Sequence, residues 1–275
     1  MPGKLGILAG GGELPRRLIK LCQDTGQDFY VIAFKGQTDR KTTIGVDHLW
    51  SRLGAAGEII SKLKDERVTD LVMIGPVKRP SMAELRPDWR ALQFFAKIGA
   101  KSLGDDGLLK SVVSALEAEG FNLLGVDDIL HDLLATKEIY GKFSPDEQAQ
   151  ADIKRGVEVA RMMGLADVGQ SVVVQQGLVL GVEAIEGTDA LIDRCAALKR
   201  DAAGGVLVKL KKPQQERRAD LPTIGIETVK RAVKAGLRGI AIEAGGALVV
   251  DRGAVVELAN EAEFFLIGIE PTDYD

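Results

Sequence analysis

The apolar run Leu5-Gly6-Ile7-Leu8-Ala9 stops at three consecutive glycines, Gly10, Gly11 and Gly12. After Glu13-Leu14-Pro15 the chain resumes with Leu18, Ile19 and Leu21 at helical spacing, giving a helix over 15–24 that Pro15 is placed to start. A buried strand that enters a tight turn and then a helix opens a βαβ unit, which commits the chain to a largely parallel sheet covered by helices. The continuation keeps that rhythm. Phe29 to Phe34 reads as a second strand, Gly54 to Asp65 as a helix, Asp70 to Ile74 as a third strand, and Phe121 to Val126 as the strand that closes the unit after a helix-rich stretch.

The 275 residues suit two domains of ordinary size, and the second half carries its own set of elements. Ser144 and Pro145 are placed to start a helix from Asp146 to Gly164. Strands follow at Ser171 to Gln175, Leu178 to Ala184 and Gly205 to Leu210, with a helix from Asp189 to Lys199 between the last two. A helix at Ile226 to Ala235, strands at Gly239 to Glu243 and Ala247 to Val250, a helix at Ala254 to Glu261 and a strand at Phe264 to Ile269 complete it. The expected fold class is α/β, with an N-terminal Rossmann-like doubly wound domain over 1–134, a linker over 135–145 and a second α/β domain over 146–275. The glycine doublets at Gly11-Gly12, Gly204-Gly205 and Gly245-Gly246 have unlike surroundings, so they do not define a repeat.

Charge and rare residues exclude several kinds of function. A formal net charge of −4 leaves no basic footprint for a nucleic-acid backbone. The two histidines, His48 and His131, stand in no metal-ligand pattern, so a histidine-built phosphoesterase centre is excluded. Cys22 and Cys195 lack CxxC spacing, there is no GxSxG elbow, and the expected location is the reducing cytoplasm. No apolar run is long enough to cross a bilayer. Any phosphate chemistry therefore rests on carboxylates, lysines and arginines.

Five segments are candidates for phosphate or metal contact, the first through its backbone. Gly10, Gly11, Gly12 and Leu14 lie between a strand and a helix, where backbone N–H groups can cradle phosphate; a tight turn needing positive φ is the plainer reading. The turn is not a dinucleotide fingerprint, because Pro15 stands at the third glycine and Lys35-Gly36-Gln37 follows the second strand; no GxxxxGK[ST] run occurs either. Pro76, Lys78 and Arg79 follow the third strand, beyond whose carboxyl end an open sheet binds ligands, although solvated cations in a stiff loop fit equally well. Gly104-Asp105-Asp106-Gly107 offers a ribose or metal contact, but an acidic pair ahead of a helix is more often a cap.

Glu183, Glu186 and Asp189, between a strand and a helix that Thr188 and Asp189 can start, supply hard oxygens suited to Mg²⁺. Lys209, Lys212 and Arg217 bring cations beside Asp220 in a loop ending Leu221-Pro222. Cations that neutralise phosphoryl oxygens beside a carboxylate that binds metal or orients water are what pyrophosphate hydrolysis requires.

Taken in order, Gly6-Ile7-Leu8-Ala9-Gly10-Gly11-Gly12-Glu13-Leu14-Pro15, Gly181 through Asp189, and Lys212-Pro213-Gln214 through Asp220-Leu221-Pro222-Thr223-Ile224-Gly225 make the chain resemble, over essentially its whole length, the LpxI family of UDP-2,3-diacylglucosamine pyrophosphatases of lipid A biosynthesis. The resemblance implies a first domain for the uridine nucleotide and a second for the acylated glucosamine phosphate, release of UMP and 2,3-diacylglucosamine 1-phosphate (lipid X), and a need for Mg²⁺ or Mn²⁺. It also implies a homodimer that meets its lipid substrate at the inner face of the cytoplasmic membrane. On this mapping Asp220 is the catalytic carboxylate and a metal ligand with Glu183, Glu186 and Asp189, and Lys209, Lys212 and Arg217 stabilise developing charge. Gly10, Gly11, Gly12, Leu14, Pro76, Lys78, Arg79, Thr188, Gln214 and Thr223 contact substrate. Arg218-Ala219 departs from a more apolar pair in the family pattern and leaves Asp220 in register. A nucleotide-sugar transferase or a noncatalytic nucleotide-sugar sensor would need much the same first domain; release of UMP without an acceptor separates a hydrolase from either.

Overall fold

The computed structural model describes residues 3–78, 81, 85–98 and 105–275. Two compact units divide the chain: Met1–Leu130 together with Glu216–Asp220, and His131–Gln215 together with Leu221–Asp275. Residues 135–145, expected as a linker, belong to the second unit, where Ile139–Tyr140 forms an edge strand.

The first unit contains five strands: β1 (Lys4–Ala9), β2 (Phe29–Phe34), β3 (His48–Ser51), β4 (Val68–Ile74) and β5 (Asn122–Leu124). They lie in the order β3-β2-β1-β4-β5, and every neighbouring pair is parallel. This is the doubly wound order in which the chain starts at the centre and builds outward both ways, so the turn after β1 lies at the point where the order reverses. Four helices accompany the sheet among the described residues: α1 (Leu14–Thr25), α2 (Ala56–Asp65), α3 (Trp89–Ile98) and α4 (Asp105–Ala118). In α1 the buried positions are Pro15, Leu18, Ile19 and Cys22, so Cys22 takes the inward place expected of Leu21. Ile59, Ile60 and Leu63 of α2 and Val113 and Leu116 of α4 pack with Tyr30, Ile32, Phe34 and Leu123.

The second unit is a mixed sheet in the order β6-β13-β11-β9-β7-β8, where β6 is Ile139–Tyr140, β7 Ser171–Gln175, β8 Leu178–Val182, β9 Val206–Lys209, β11 Gly239–Glu243 and β13 Phe265–Ile269. Strands β9, β11 and β13 are parallel, while β6, β7 and β8 pair antiparallel to their neighbours. A small parallel pair, β10 (Thr223–Ile224) and β12 (Leu248–Val249), stands apart from it. The period-2 alternation of the strands assigns each residue to one of two cores. Val172, Val174, Val206, Val208 and Ala241 face the long helix α5 (Glu147–Leu165) through Ala149, Ile153, Val157 and Ala160. Val173, Leu207, Ile240 and Ile242 face α6 (Thr188–Cys195), α7 (Ile226–Lys234) and α8 (Arg252–Glu261) through Leu191, Ile192, Val229, Ala232, Val255 and Ala259. Each fully buried Val, Leu or Ile contributes about 1.5–3 kcal/mol, so these two layers fix where the carboxyl ends of β9 and β11 emerge.

Among the described residues no helix is long and apolar enough to cross a membrane. Both cysteines are free and buried.

Candidate active site

A buried polar cluster occupies one end of the second sheet. Glu183 follows β8, Lys209 ends β9, Ser171 begins β7, and Thr188 opens α6. Lys209 is 5% exposed and Glu183 7%, so both charges are withdrawn from water. The Lys209 ammonium donates to Thr188 Oγ1 at 2.8 Å and to the Thr223 carbonyl at 3.1 Å. The Thr188 hydroxyl in turn donates to Glu183 Oε1 at 3.0 Å and lies 3.3 Å from Ser171 Oγ. Glu183 Oε2 is buried and accepts no hydrogen bond within the described structure. A lone buried carboxylate is costly, and the ammonium held by the same threonine compensates it.

The neighbouring acids have other partners. Glu186 accepts from Arg194 at 2.9 and 3.1 Å and from the Ala184 N–H at 3.1 Å. Its carboxyl is held below the usual range, chiefly by its own backbone N–H and further by Arg194. Asp189 faces Arg231 at 3.4 Å. Lys212 is tied to Asp167 at 2.6 Å, and Gln214 donates to the Gly164 carbonyl at 2.6 Å. Sequence reasoning passed over Glu243, which ends the central strand β11 and accepts from the Lys211 N–H at 2.9 Å. Burial pushes its carboxyl pKa up, against the smaller opposing effect of that N–H. An acid closing an apolar strand was the available signal.

Asp220 lies in the first unit, in an exposed position at the end of one turn of chain. Its N–H and that of Ala219 both donate to the Glu216 carbonyl, at 3.1 and 3.0 Å. Arg217 donates to Asp127 Oδ2 through two nitrogens, Nε at 2.7 Å and Nη2. Arg218 pairs with Glu216 at 2.9 Å and Glu117 at 2.6 Å. Arg218 lowers the Glu216 pKa first of all its surroundings, and the two carboxylates raise the already high pKa of Arg218.

The glycine turn has its amides committed. Gly10 N–H donates to the Ile74 carbonyl at 2.8 Å, Gly11 N–H to the Pro76 carbonyl at 2.9 Å, and Gly12 N–H to Asp39 Oδ2 at 3.1 Å. A Cβ on Gly10 would stand 2.4 Å from the Gly75 carbonyl oxygen, so this glycine serves the close approach of two loops. Leu14 begins α1, after Glu13, whose side chain makes no cap bond. Lys78 is exposed, and its backbone exchanges two hydrogen bonds with the Gln37 side chain at 2.8 and 3.0 Å. Arg79 lies outside the described residues, as does Gly104.

The structure therefore brings together Glu183, Thr188, Lys209 and Thr223 within the second unit, and groups Arg217 with Asp220 in the first. The four-carboxylate metal set does not gather within either unit: Glu186 and Asp189 are turned to arginines and Asp220 belongs to the other unit. Among the described residues no group of three His, Cys, Asp or Glu side chains is arranged to hold a metal ion. A thiol nucleophile is also disfavoured, since burial pushes Cys22 up to about 11 and raises Cys195.

Comparison with known proteins divides the chain near the same point, with residues 216–220 falling in the C-terminal match. The model of the LpxI N-terminal domain matches residues 4–133, and that of the LpxI C-terminal domain matches 136–267. A curated protein of Caulobacter vibrioides, UDP-2,3-diacylglucosamine pyrophosphatase LpxI, is 40% identical over 279 residues, covering 98% of this chain and 99% of its own. Among solved structures, CobK precorrin-6A reductase covers 98% of this chain and 87% of its own at a TM-score of 0.34 and 12% identity. An N5-carboxyaminoimidazole synthase from Aspergillus clavatus covers 72% and 44% at a TM-score of 0.23 and 12% identity. Those two likenesses are too slight to carry an argument. Matched in both halves by the family models and nearly end to end by a curated member, the chain belongs to the LpxI family.

Proposed function

We propose that this protein hydrolyses the pyrophosphate of UDP-2,3-diacylglucosamine to UMP and 2,3-diacylglucosamine 1-phosphate. The observation that carries the reading is the 40% identity to the Caulobacter pyrophosphatase across 98% of the chain. In the reaction water adds to one phosphorus, the bridging P–O bond breaks, and the bridging oxygen leaves with the other phosphate. Asp220, exposed at the end of its turn, holds the attacking water and takes up its proton. Within the second unit, Lys209 is held by Thr188 and balances the buried Glu183 carboxylate.

Among the described residues, Mg²⁺ or Mn²⁺ fits as an ion shared with substrate. The Lys209 ammonium shares Thr188 with Glu183 and competes with a divalent cation there, whereas Asp220 offers one hard oxygen ligand. Mg²⁺ keeps several waters and is often bound by one or two carboxylates and phosphate oxygens, so Asp220 suffices on the protein side. When bound, the ion neutralises charge on the pyrophosphate oxygens. An acylated substrate would bring the protein to the cytoplasmic face of the membrane, and a homodimer is part of the same proposal; vesicle flotation and sedimentation test these.

The deciding experiment is phosphorus NMR of the purified protein with UDP-2,3-diacylglucosamine and Mg²⁺, beside Asp220→Ala and a chelator control. The proposal expects UMP and the sugar 1-phosphate from the wild type alone. Substrate that survives with folded wild-type protein, or turnover that needs an added acceptor, overturns it.

A further inference from the structure

The loop that carries Asp220 is pinned by acids distant in sequence. Asp127, whose side chain is 1% exposed, receives two hydrogen bonds from the Arg217 guanidinium, and Arg217 itself is half exposed. Asp106, 3% exposed, accepts the Glu216 N–H at 2.8 Å through Oδ1 and pairs with Lys110 at 2.9 Å through Oδ2. Ala219 packs against the first unit's core. Glu216 and Arg217 are therefore fixed at backbone and side chain, and the Glu216 carbonyl accepts from the Asp220 N–H one turn later.

We propose that Asp127 and Asp106 are positioning residues, and that Arg217 acts through Asp127 to hold the Asp220 carboxylate in place instead of binding phosphate itself. The proposal rests on the reading of Asp220 as the catalytic carboxylate. Asp127 Oδ1 is buried and accepts no hydrogen bond within the described structure, which leaves Arg217 as the charge that compensates this carboxylate. An arginine released to a phosphate would strand it, and a buried charge without its partner is strongly disfavoured. The pair behaves as one unit, so its members' contributions are not additive.

The test uses the full chain with Asp127→Asn, Arg217→Gln and the double variant. It measures kcat and KM for UDP-2,3-diacylglucosamine and amide deuterium uptake in peptides covering 211–222 without substrate. Each single change is expected to lower kcat tenfold or more, leave KM within about twofold, and speed exchange at 216–220; the double variant falls no further than the worse single. Loss of activity in Arg217→Gln with wild-type kcat in Asp127→Asn would mean that Arg217 serves substrate directly and would overturn the proposal. Unchanged exchange in both single variants would overturn it as well. Should Asp127→Asn not fold, Arg217→Gln and Arg217→Lys read the same pair from its exposed end, with partial rescue by lysine expected and none counting against it. If the wild type does not turn over the substrate, the activity reading fails while the exchange measurement still decides whether the loop is pinned.

Discussion

Replacing Lys209 by methionine removes a buried ammonium while keeping a chain of similar volume. Two hydrogen bonds go with it, to Thr188 at 2.8 Å and to the Thr223 carbonyl at 3.1 Å. Because Glu183 is bonded to the same hydroxyl at 3.0 Å, the ammonium and this carboxylate lie no farther apart than those two bonds placed end to end. At roughly 6 Å and an effective dielectric of about 20 their attraction is about 3 kcal/mol. Hydrogen bonds from a charged donor add about 1.5–3 kcal/mol each, and relief from desolvating the ammonium offsets part of the total. A net loss on the order of 3–5 kcal/mol follows, the usual cost of breaking a buried pair from one side. For a unit of this size that corresponds to a fall in melting temperature of about 6–20 °C, read by circular dichroism on the full chain. The companion Glu183→Gln/Lys209→Met variant strands no charge and should recover a large part of the loss. A single variant melting within about 2 °C of the wild type would refute the reasoning, whatever happened to activity. So would a double variant whose loss is the sum of the two singles.

Glu243 provides a test with the opposite sign. Burial raises its carboxyl pKa in the folded protein, so the native state keeps the proton to a higher pH than the unfolded chain does. That group lowers stability as pH rises from about 4.3, the unfolded value, through the raised folded one. Glu243→Gln keeps an acceptor for the Lys211 N–H and should raise the melting temperature at pH 7, with no gain at pH 4 or below; equal shifts at both would contradict the assignment. Gly10→Ala puts a Cβ 2.4 Å from one backbone carbonyl oxygen and 2.6 Å from another, neither of which can swing aside as a side chain could. Urea denaturation should show a loss of about 1–3 kcal/mol, and wild-type stability would mean that the two loops yield freely.

What the sequence makes legible is whatever a short window encodes. The strand-turn-helix opening, the Pro15 helix start and the period-2 strands of the second half all act over a few residues, and each corresponds to an observed element. Strand β3 escapes such a reading because His48 is exposed and Leu49 and Trp50 are only partly covered, so no apolar run announces it. Strands β6 and β10 are two residues each and exist through their partners.

The same boundary between local and distant divides the candidate site. Lys209 and Glu183 stood out as charges at strand ends, but the threonine joining them could be known only from the fold. Arg217 next to Asp220 reads locally as a phosphate cation beside a catalytic acid. Its partner lies 90 residues away in the Val126–Asp128 turn, which sequence patterning had ended as a strand at Val126. The Asp106 carboxyl that accepts the Glu216 N–H is 110 residues away, in a pair of acids read as a helix cap. A cation beside a catalytic carboxylate is thus ambiguous in sequence between neutralising substrate charge and holding the carboxylate's own loop. The buried acid at the other end of the guanidinium favours the second, because a substrate that took the arginine would leave Asp127 charged and alone.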